Sequence, residues 1–254
     1  MFIIKISLIL PIQNIRIMKL KLIAYSVFIF LFFIKTFGQT EIKISRVGDF
    51  VSKIKSNTNF IFKSGKYDFS ERMGSETDNA NFEKCYDGME LRIRNVKNLS
   101  LKSESGKDQT ELITKPMYGN VIVFENCENI VIDGFRAGHG PEKGYCEGGV
   151  FAFVNCTNIV INNCSLYGSG IEGITMTDCK KLKVTNTIIE ECTYGIMSIY
   201  DTETVSFEHC IFRHCQEFDN VNFINVKHAS FKKCTFSENI TRSEYMPYLL
   251  SFKD

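Results

Sequence analysis

Hydrophobic and polar residues alternate in short runs that recur every 23 to 31 residues from residue 95 to the end of the chain. Each run leads to an Asn or Asp, and the residues two and four positions before that Asx are apolar in every unit. The residues one and three positions before it are mixed in character. A period of two predicts a β-strand with one buried face. The recurring Asx positions are Asn95, Asn126, Asn155, Asp178, Asp201, Asn225 and Asp254.

Two more apolar runs follow most of these Asx residues. The second run has apolar residues four and six positions after the Asx, such as Leu99 and Leu101 in the first unit. A third, shorter run follows in most units, for example at residues 164–166 and 187–189. Three short strands in a minimum unit of 23 residues indicate a solenoid whose turns stack at about 4.8 Å. An Asx in the same corner of every turn can hydrogen-bond to its neighbours and to the turn backbone.

The three-strand repeat with its corner Asx resembles the right-handed parallel β-helix, the fold of pectin-lyase-like proteins. The resemblance implies an all-β protein, a solenoid of about six to seven turns and a short N-terminal capping helix. We assign the repeats to residues 88–254 and the cap region to residues 39–87, and leave open an extension of the repeats back to Glu41. Residues 47–54 form an amphipathic pattern that predicts the capping helix. Such a cap covers the core and strand edges that an open solenoid end exposes.

The first 38 residues differ in character from the rest of the chain. Lys19 and Lys21 precede an apolar run at residues 22–34, and Thr36 and Gly38 are small residues suited to cleavage before Gln39. We interpret residues 1–38 as a leader that contains a secretory signal peptide, with Met18 as the true start. An uncleaved membrane anchor is the alternative. Both predict a body that works outside the cytoplasm, whether secreted, periplasmic or at the cell surface, with no membrane contact beyond the leader.

Charge separates the leader from the body. The leader carries five of the 30 Lys and Arg residues and none of the 29 Asp and Glu residues, so the formal net charge of +1 becomes −4 in the body. A mildly acidic body gives no reason to expect a nucleic-acid partner.

Eight of the ten cysteines fall in columns of the repeat. Side chains in such columns lie about 4.8 Å apart, whereas a disulfide needs Cβ atoms about 3.5–4.5 Å apart. We therefore predict buried free thiols, with a bridged framework as the alternative. Cys85 and Cys146 lie off the columns and could pair with each other, and no short Cys-x-x-Cys spacing suggests a metal site. The column cysteines are Cys127, Cys156 and Cys179; Cys164, Cys210 and Cys234; and Cys192 and Cys215.

Candidate chemistry concentrates in the longer loops, which we expect before the first strand of a turn, at residues 104–119, 137–148, 216–220 and 240–248. In the loop at residues 136–149, His139 is a candidate acid or base. Glu142 or Glu147 could bind a hydroxyl, a cation or a proton, and Tyr145 could stack on a sugar ring. The alternative is a glycine-rich turn whose polar groups satisfy its own backbone.

The outer face of the first strand is the second candidate region. The resemblance implies a polysaccharide groove here, with calcium and a proton-abstracting base in lyases or clustered aspartates in hydrolases. Neither set is present, because Glu125 is the only carboxylate at these outward positions. Our catalytic candidates are therefore His139, Glu142 and Glu125, and no cofactor is predicted beyond the calcium of the resemblance. The candidate substrate-binding residues are Arg92, Arg94, Tyr145, Tyr194 and Tyr200.

Two functions remain open at this point. The first is binding, or processing of a lyase or glycoside hydrolase type, of a polysaccharide along the first-strand face. The second is a non-catalytic structural or surface interaction module. At the C-terminal end Asp254 falls on the corner of a seventh unit, so that edge could self-associate or be covered by residues 245–248.

Overall fold

The computed structural model describes residues 39–140, 148–168, 172–217, 221–241 and 250–253. These residues form short β-strands and one helix of a single turn. In chain order the first elements are β1 (Thr40–Ile44), α1 (Val47–Val51), β2 (Thr58–Phe62), β3 (Gly65–Asp68), β4 (Ala80–Lys84), β5 (Met89–Arg94), β6 (Lys97–Ser103), β7 (Thr110–Thr114), β8 (Ile122–Glu125), β9 (Glu128–Asp133), β10 (Arg136–His139) and β11 (Phe151–Val154). The remaining strands are β12 (Thr157–Asn162), β13 (Ser165–Tyr167), β14 (Ile174–Thr177), β15 (Lys181–Thr185), β16 (Ile188–Glu190), β17 (Met197–Glu208), β18 (Ile211–Arg213), β19 (Gln216–Glu217), β20 (Val221–Lys232), β21 (Thr235–Ser237), β22 (Ile240–Thr241) and β23 (Leu250–Lys253).

Most strands stack in three parallel ladders, and the outward surface of each ladder is a face of the solenoid. β19 and β22 form a separate parallel pair. The first ladder contains β5, β8, β11, β14, the first halves of β17 and β20, and β23. The second contains β1, β2, β6, β9, β12, β15 and the second halves of β17 and β20. The third contains β3, β7, β10, β13, β16, β18 and β21. These ladders confirm the predicted all-β, right-handed parallel β-helix.

The core is a column of side chains that point inward from all three ladders. Alternation places Phe124 of β8 and Phe153 of β11 in register, and their rings stack with centroids 5.2 Å apart and planes 10° from parallel. Phe207 and Phe231 repeat this arrangement with centroids 4.9 Å apart. Both spacings match the distance between paired strands, so parallel stacking brings like residues into contact.

The predicted capping helix is present as α1, which is three residues shorter at its C-terminus than the sequence pattern. Its Phe50 is fully buried, with its ring centroid 5.1 Å from that of Phe60 and 5.0 Å from that of Phe62. The helix therefore closes the core at this end. Parallel pairing also extends to β1 and β2, N-terminal to residue 88.

The corner Asx residues adopt the left-handed backbone conformation that Asn and Asp tolerate best. The φ angles of Asn95, Asn126 and Asn155 are 55°, 54° and 51°. The Asn155 amide donates to Asn126 Oδ1 at 2.7 Å. A second column, which the sequence analysis did not identify, joins Asn158 to Asn129 at 2.6 Å through the same kind of bond.

All nine described cysteines carry free thiols, and seven of the eight column cysteines are buried, Cys234 being the exception. The backbone N–H of Cys127 donates to Cys156 Sγ at 3.4 Å, and that of Cys156 donates to Cys179 Sγ at 3.3 Å. The thiols thus fill space and accept hydrogen bonds within the column, as predicted. Cys85 is unbridged, and Cys146 lies outside the described residues.

Three details differ from the sequence analysis. The stretch at residues 104–119 is not one loop, because it contains β7 of the third ladder. The third strands begin one residue later than the apolar runs, as in β13. The antiparallel hairpin of β4 and β5 at the N-terminal end of the first ladder was not predicted.

The leader at residues 1–38, residues 242–249 and Asp254 lie outside the described residues, so the predicted signal peptide and self-associating edge stay predictions. Within the described part of the chain, no helix is long and apolar enough to span a bilayer.

Candidate functional site

The first face carries a charged cluster at its N-terminal end, built from three predicted site residues and two others. Arg92 and Arg94 both donate to the Glu125 carboxylate. Glu83 on the adjoining hairpin binds Arg94 Nη2 at 2.6 Å and Arg92 Nε at 3.1 Å, and Glu90 also accepts from Arg92. The structure brings Arg92, Arg94 and Glu125 together, but their hydrogen-bonding groups are directed at each other. The Glu125 carboxylate is therefore neutralised by two guanidinium groups instead of being presented to a ligand.

The same cluster ties one turn of the helix to the next. Glu90 is buried, and its second oxygen accepts from the backbone N–H of Asn120 at 3.0 Å and from its side-chain amide at 3.1 Å. Asn120 Oδ1 accepts from the Gly149 backbone at 2.9 Å. Each of these hydrogen bonds joins adjacent turns, so the cluster stabilises the stacking of the turns.

His139 lies at the end of β10 in the third ladder, away from the first-ladder positions of Arg92 and Glu125. Its side chain is only 4% exposed. Because the Gly119 carbonyl can only accept, Nε2 is the protonated nitrogen in the 2.9 Å bond between them. Burial lowers the pKa of His139, which favours the neutral ring. Among the described residues, neither Nδ1 nor the hydroxyl of Thr114, its register neighbour on β7, has a hydrogen-bond partner.

A cleft of about 310 Å³, which we call the third-face cleft, lies on the third face beside His139. Lys66, Glu111 and Arg136 form one column across β3, β7 and β10. The Lys66 ammonium lies 3.1 Å from one Glu111 oxygen, and the Tyr167 hydroxyl donates to the other at 2.6 Å. The Arg136 guanidinium carbon lies 4.1 Å from the centroid of the Tyr167 ring. Alternating charges in one column stabilise the stacked strands.

Electrostatics keep Glu111 ionised. Burial by itself would raise the pKa of this carboxyl, but the hydrogen bond from Tyr167 and the charges of Lys66 and Arg136 hold the pKa below its ordinary value. Burial and the Glu111 carboxylate raise the pKa of Tyr167, so the phenol stays protonated and donates. The cleft thus offers fixed donors and a fixed acceptor side by side.

Gly138 makes this arrangement possible. A Cβ atom at Gly138 would lie 2.1 Å from the Tyr167 carbonyl oxygen and 3.0 Å from its ring. Only glycine lets Tyr167 pack against β10 at this outward position. The sequence analysis missed Lys66, Glu111, Arg136 and Tyr167, although the outward alternation of the third strands would have placed the first three in one column.

The remaining predicted residues lie apart from this cleft or outside the described residues. Tyr200 is on the first face, where its hydroxyl accepts from the Asn222 amide at 3.3 Å. Tyr194 is half-buried in the segment between β16 and β17. Glu142, Tyr145 and Glu147 lie outside the described residues.

Glu172 is a further carboxyl that the sequence analysis did not identify. It is buried just before β14, and Ser198 of the first face donates to it. Burial raises its pKa to about 7 against the smaller opposing effect of the Ser198 bond. Glu172 adjoins β14, two ladder steps or about 10 Å along the helix axis from β8 of Glu125, and its carboxyl is directed further away, toward Ser198 of β17. Glycoside hydrolases need carboxyl pairs about 5–9.5 Å apart, so Glu172 and Glu125 do not form one.

The described residues do not fit the calcium that the resemblance implies. Among them, no group of three or more His, Cys, Asp and Glu side chains could hold a metal ion.

The three parallel ladders around one core define a solenoid of the right-handed parallel β-helix class. The family described as right handed beta helix region matches residues 52–241, and the chain belongs to that family. No curated protein matches the sequence.

Two solved structures show similarity to this chain. A candidate glycosyl hydrolase from Parabacteroides merdae has 11% identity and a TM-score of 0.46, and the match covers 78% of this chain and 96% of that one. An alginate lyase from Paenibacillus sp. has 8% identity and a TM-score of 0.33, with coverage of 80% and 98%.

Proposed function

We propose that the protein binds a polysaccharide, with the third-face cleft holding one or more sugar units. The observation that carries this proposal is the side-by-side placement of Arg136, Tyr167 and Glu111 around a concave site. Neighbouring hydroxyls of a sugar need donors and acceptors at short, fixed separations. The half-exposed Arg136 guanidinium provides donors, and the ionised Glu111 carboxylate provides acceptors.

The repeat of the fold supports a polymer as the ligand. Successive turns present equivalent positions about 4.8 Å apart, a step comparable with the length of one sugar unit in an extended chain. A second ligand unit would thus meet the next turn in a similar orientation. The described groups favour binding over cleavage, because Glu111 is held ionised by its partners and Glu125 is neutralised by two arginines.

The first face is the second candidate for the same function, because Tyr200 and Asn222 form a hydrogen-bonded polar pair on its surface. Arg136→Ala and Tyr200→Ala therefore form a matched test of the two faces. We expect Arg136→Ala to weaken polysaccharide binding about tenfold or more, the equivalent of one or two charge-assisted hydrogen bonds. Tyr200→Ala should leave the affinity unchanged.

Binding is measured by isothermal titration calorimetry against a panel of neutral and acidic polysaccharides, with reducing-end and unsaturated-product assays in parallel. If Tyr200→Ala weakens polysaccharide binding and Arg136→Ala does not, the binding site lies on the first face. New reducing ends or unsaturated products would show an enzyme instead of a binding protein. If no polysaccharide binds, the structural or surface interaction module becomes the better description.

We also propose that the leader directs the body out of the cytoplasm. The basic start, apolar run and small residues before Gln39 support this proposal. Expression of the full chain in a bacterial host, followed by fractionation and N-terminal sequencing, should recover a mature protein that begins at Gln39. Recovery of an intact leader in the membrane fraction would favour the anchor, and recovery in the cytoplasm would exclude both.

A further inference from the structure

An exposed tyrosine at the tip of the hairpin formed by β4 and β5 packs against a half-buried tyrosine between β7 and β8. Tyr86 is 84% exposed, and its ring centroid lies 4.9 Å from that of Tyr118 with the planes tilted by 54°. A large aromatic ring that is held against a second ring and still faces solvent is typical of ligand-binding surfaces. We refer to Tyr86 and Tyr118 as the tyrosine platform.

Hydrogen bonds fix this platform to the solenoid. Asp87 accepts from the backbone N–H groups of Met117 at 2.6 Å and Tyr118 at 3.2 Å. The Cys85 backbone N–H closes the hairpin turn on the Gly88 carbonyl at 3.0 Å. Both rings are therefore attached to backbone segments that are bonded to each other. Such preorganisation reduces the entropy that a ligand must overcome when it docks.

A second cleft, of about 300 Å³, lies next to the platform and is lined by Glu71, Asp87, Lys115, Pro116 and Met117 among others. It adjoins the third-face cleft. Gly140 lines the third-face cleft and bonds to the Thr114 carbonyl at 2.7 Å, and a Cβ on Gly140 would lie 3.3 Å from Lys115 Cγ. The two clefts share no lining residue, but Gly140 of the third-face cleft lies directly against Lys115 of the second cleft.

We propose that the tyrosine platform is an outer subsite for the same polysaccharide, where an uncharged sugar ring stacks on Tyr86. This inference rests on the proposed function. Two observations support a neutral sugar as the ligand: the second cleft adjoins the third-face cleft, and its lining carries net negative charge. Asp87 and Glu71 border the second cleft, and the Lys115 ammonium is paired with Asp68 at 3.0 Å. Net negative charge disfavours a uronate and leaves a neutral sugar as the better ligand.

The chain contains no Trp, so Tyr86→Trp introduces a single indole that reports on the platform. We expect a long neutral oligosaccharide to shift the emission of that indole, because stacking removes it from water. A matched Tyr200→Trp variant places the indole on the first face, and a shift there without one at position 86 would contradict the outer subsite. Calorimetry with Tyr86→Ala should give about three- to tenfold weaker binding of long chains. Tyr86→Phe keeps the ring and should bind as the wild type does.

Chain length separates this inference from the proposed function. Short oligosaccharides that fill only the third-face cleft should lose affinity with Arg136→Ala and not with Tyr86→Ala. If the wild type binds long chains and Tyr86→Ala binds them equally well, the outer subsite is wrong and the cleft proposal stands. If Tyr86→Ala weakens binding and Arg136→Ala does not, the cleft proposal is wrong and the platform is the main site. Absence of binding to the wild type at any length overturns both.

Discussion

The charged cluster of the first face and the third-face cleft both contain arginine and glutamate, but these residues have different roles in the two regions. On the first face, the guanidinium groups of Arg92 and Arg94 are both bound to Glu125 and Glu83. In the cleft, Arg136 lies over the Tyr167 ring, its Nε is 3.7 Å from one Glu111 oxygen, and its side chain is 50% exposed. Guanidinium groups enclosed by carboxylates stabilise a surface, whereas one supported by a ring keeps donors for a ligand.

The difference teaches that outward position alone does not define a site. Both regions lie on rigid parallel ladders, and both expose charged columns. Only the cleft combines a concave shape with a glycine that admits an aromatic ring. The first face has the hairpin partner β4 beside it, which supplies Glu83, one of the carboxylates that enclose its arginines.

The largest expected effect comes from filling the space at Gly138. Gly138→Ala places a Cβ 2.1 Å from the Tyr167 carbonyl oxygen, a backbone atom of the next turn. We expect the unfolding free energy, measured by chemical denaturation, to fall by about 3 kcal/mol. Polysaccharide binding, measured by calorimetry, should be lost as well. Gly140→Ala is the control, because its Cβ would meet only the flexible Lys115 side chain at 3.3 Å. Equal stability of the two variants would contradict the close packing of Tyr167 on β10.

A pH titration of stability distinguishes the carboxyls of the two regions. Burial raises the pKa of Glu172 at the edge of the first face to about 7 from an ordinary value of 4.5, whereas the pKa of Glu111 in the cleft is lowered. Glu172 therefore favours folding below pH 4.5, and this contribution is lost as pH rises to about 7. Glu111 contributes stability above its ordinary pKa and loses it as pH falls.

We compare the unfolding free energy of Glu172→Gln with that of the wild type at each pH. This difference should be about 2–3 kcal/mol more in favour of the variant at pH 8 than at pH 4. Denaturation curves of the wild type and this variant at several pH values provide the measurement. Glu111→Gln is the matched comparison, and its destabilising effect should shrink in acid. An effect of Glu172→Gln that does not depend on pH would show that the carboxyl is not buried as described.

Removal of the shared carboxylate tests the scaffold role of the first face. Glu125→Gln leaves Arg92 and Arg94 with weaker partners, and we expect a loss of about 1–2 kcal/mol in unfolding free energy. Polysaccharide binding at the third-face cleft should not change. The exposed pair of Lys97 and Glu128, 2.9 Å apart, is the control. Glu128→Gln should change stability by less than about 0.5 kcal/mol. A loss of binding with Glu125→Gln would return the site to the first face.

Much of the fold could be predicted because the relevant information is local. The period of two assigns residues such as Ile159 and Ile161 to the core from their immediate neighbours. Corner positions were also predictable, because Asn126 and Asn155 are residues that tolerate a positive φ. The hairpin of β4 and β5 was not, since β4 lies before the repeat and shares no pattern with it.

The candidate site was predictable only in part. Arg92, Arg94 and Glu125 were correctly placed on one face by repeat register, but the second carboxylate that binds both arginines, Glu83, comes from an unpredicted strand. His139 was assigned to a loop beside the first strands, and the structure places it at the end of a third-ladder strand. Loop length varies before that point, so the pattern could not locate the end of the strand.

The sequence by itself determined the class of fold, the corner residues and the burial of the column thiols. Each of these follows from the alternation and spacing of residues within one turn. Only the tertiary structure decided which outward side chains meet. The Tyr167 hydroxyl and the Glu111 carboxylate are 56 residues apart in the chain and 2.6 Å apart in space. Their contact depends on the register of three stacked turns and on the absence of a side chain at Gly138.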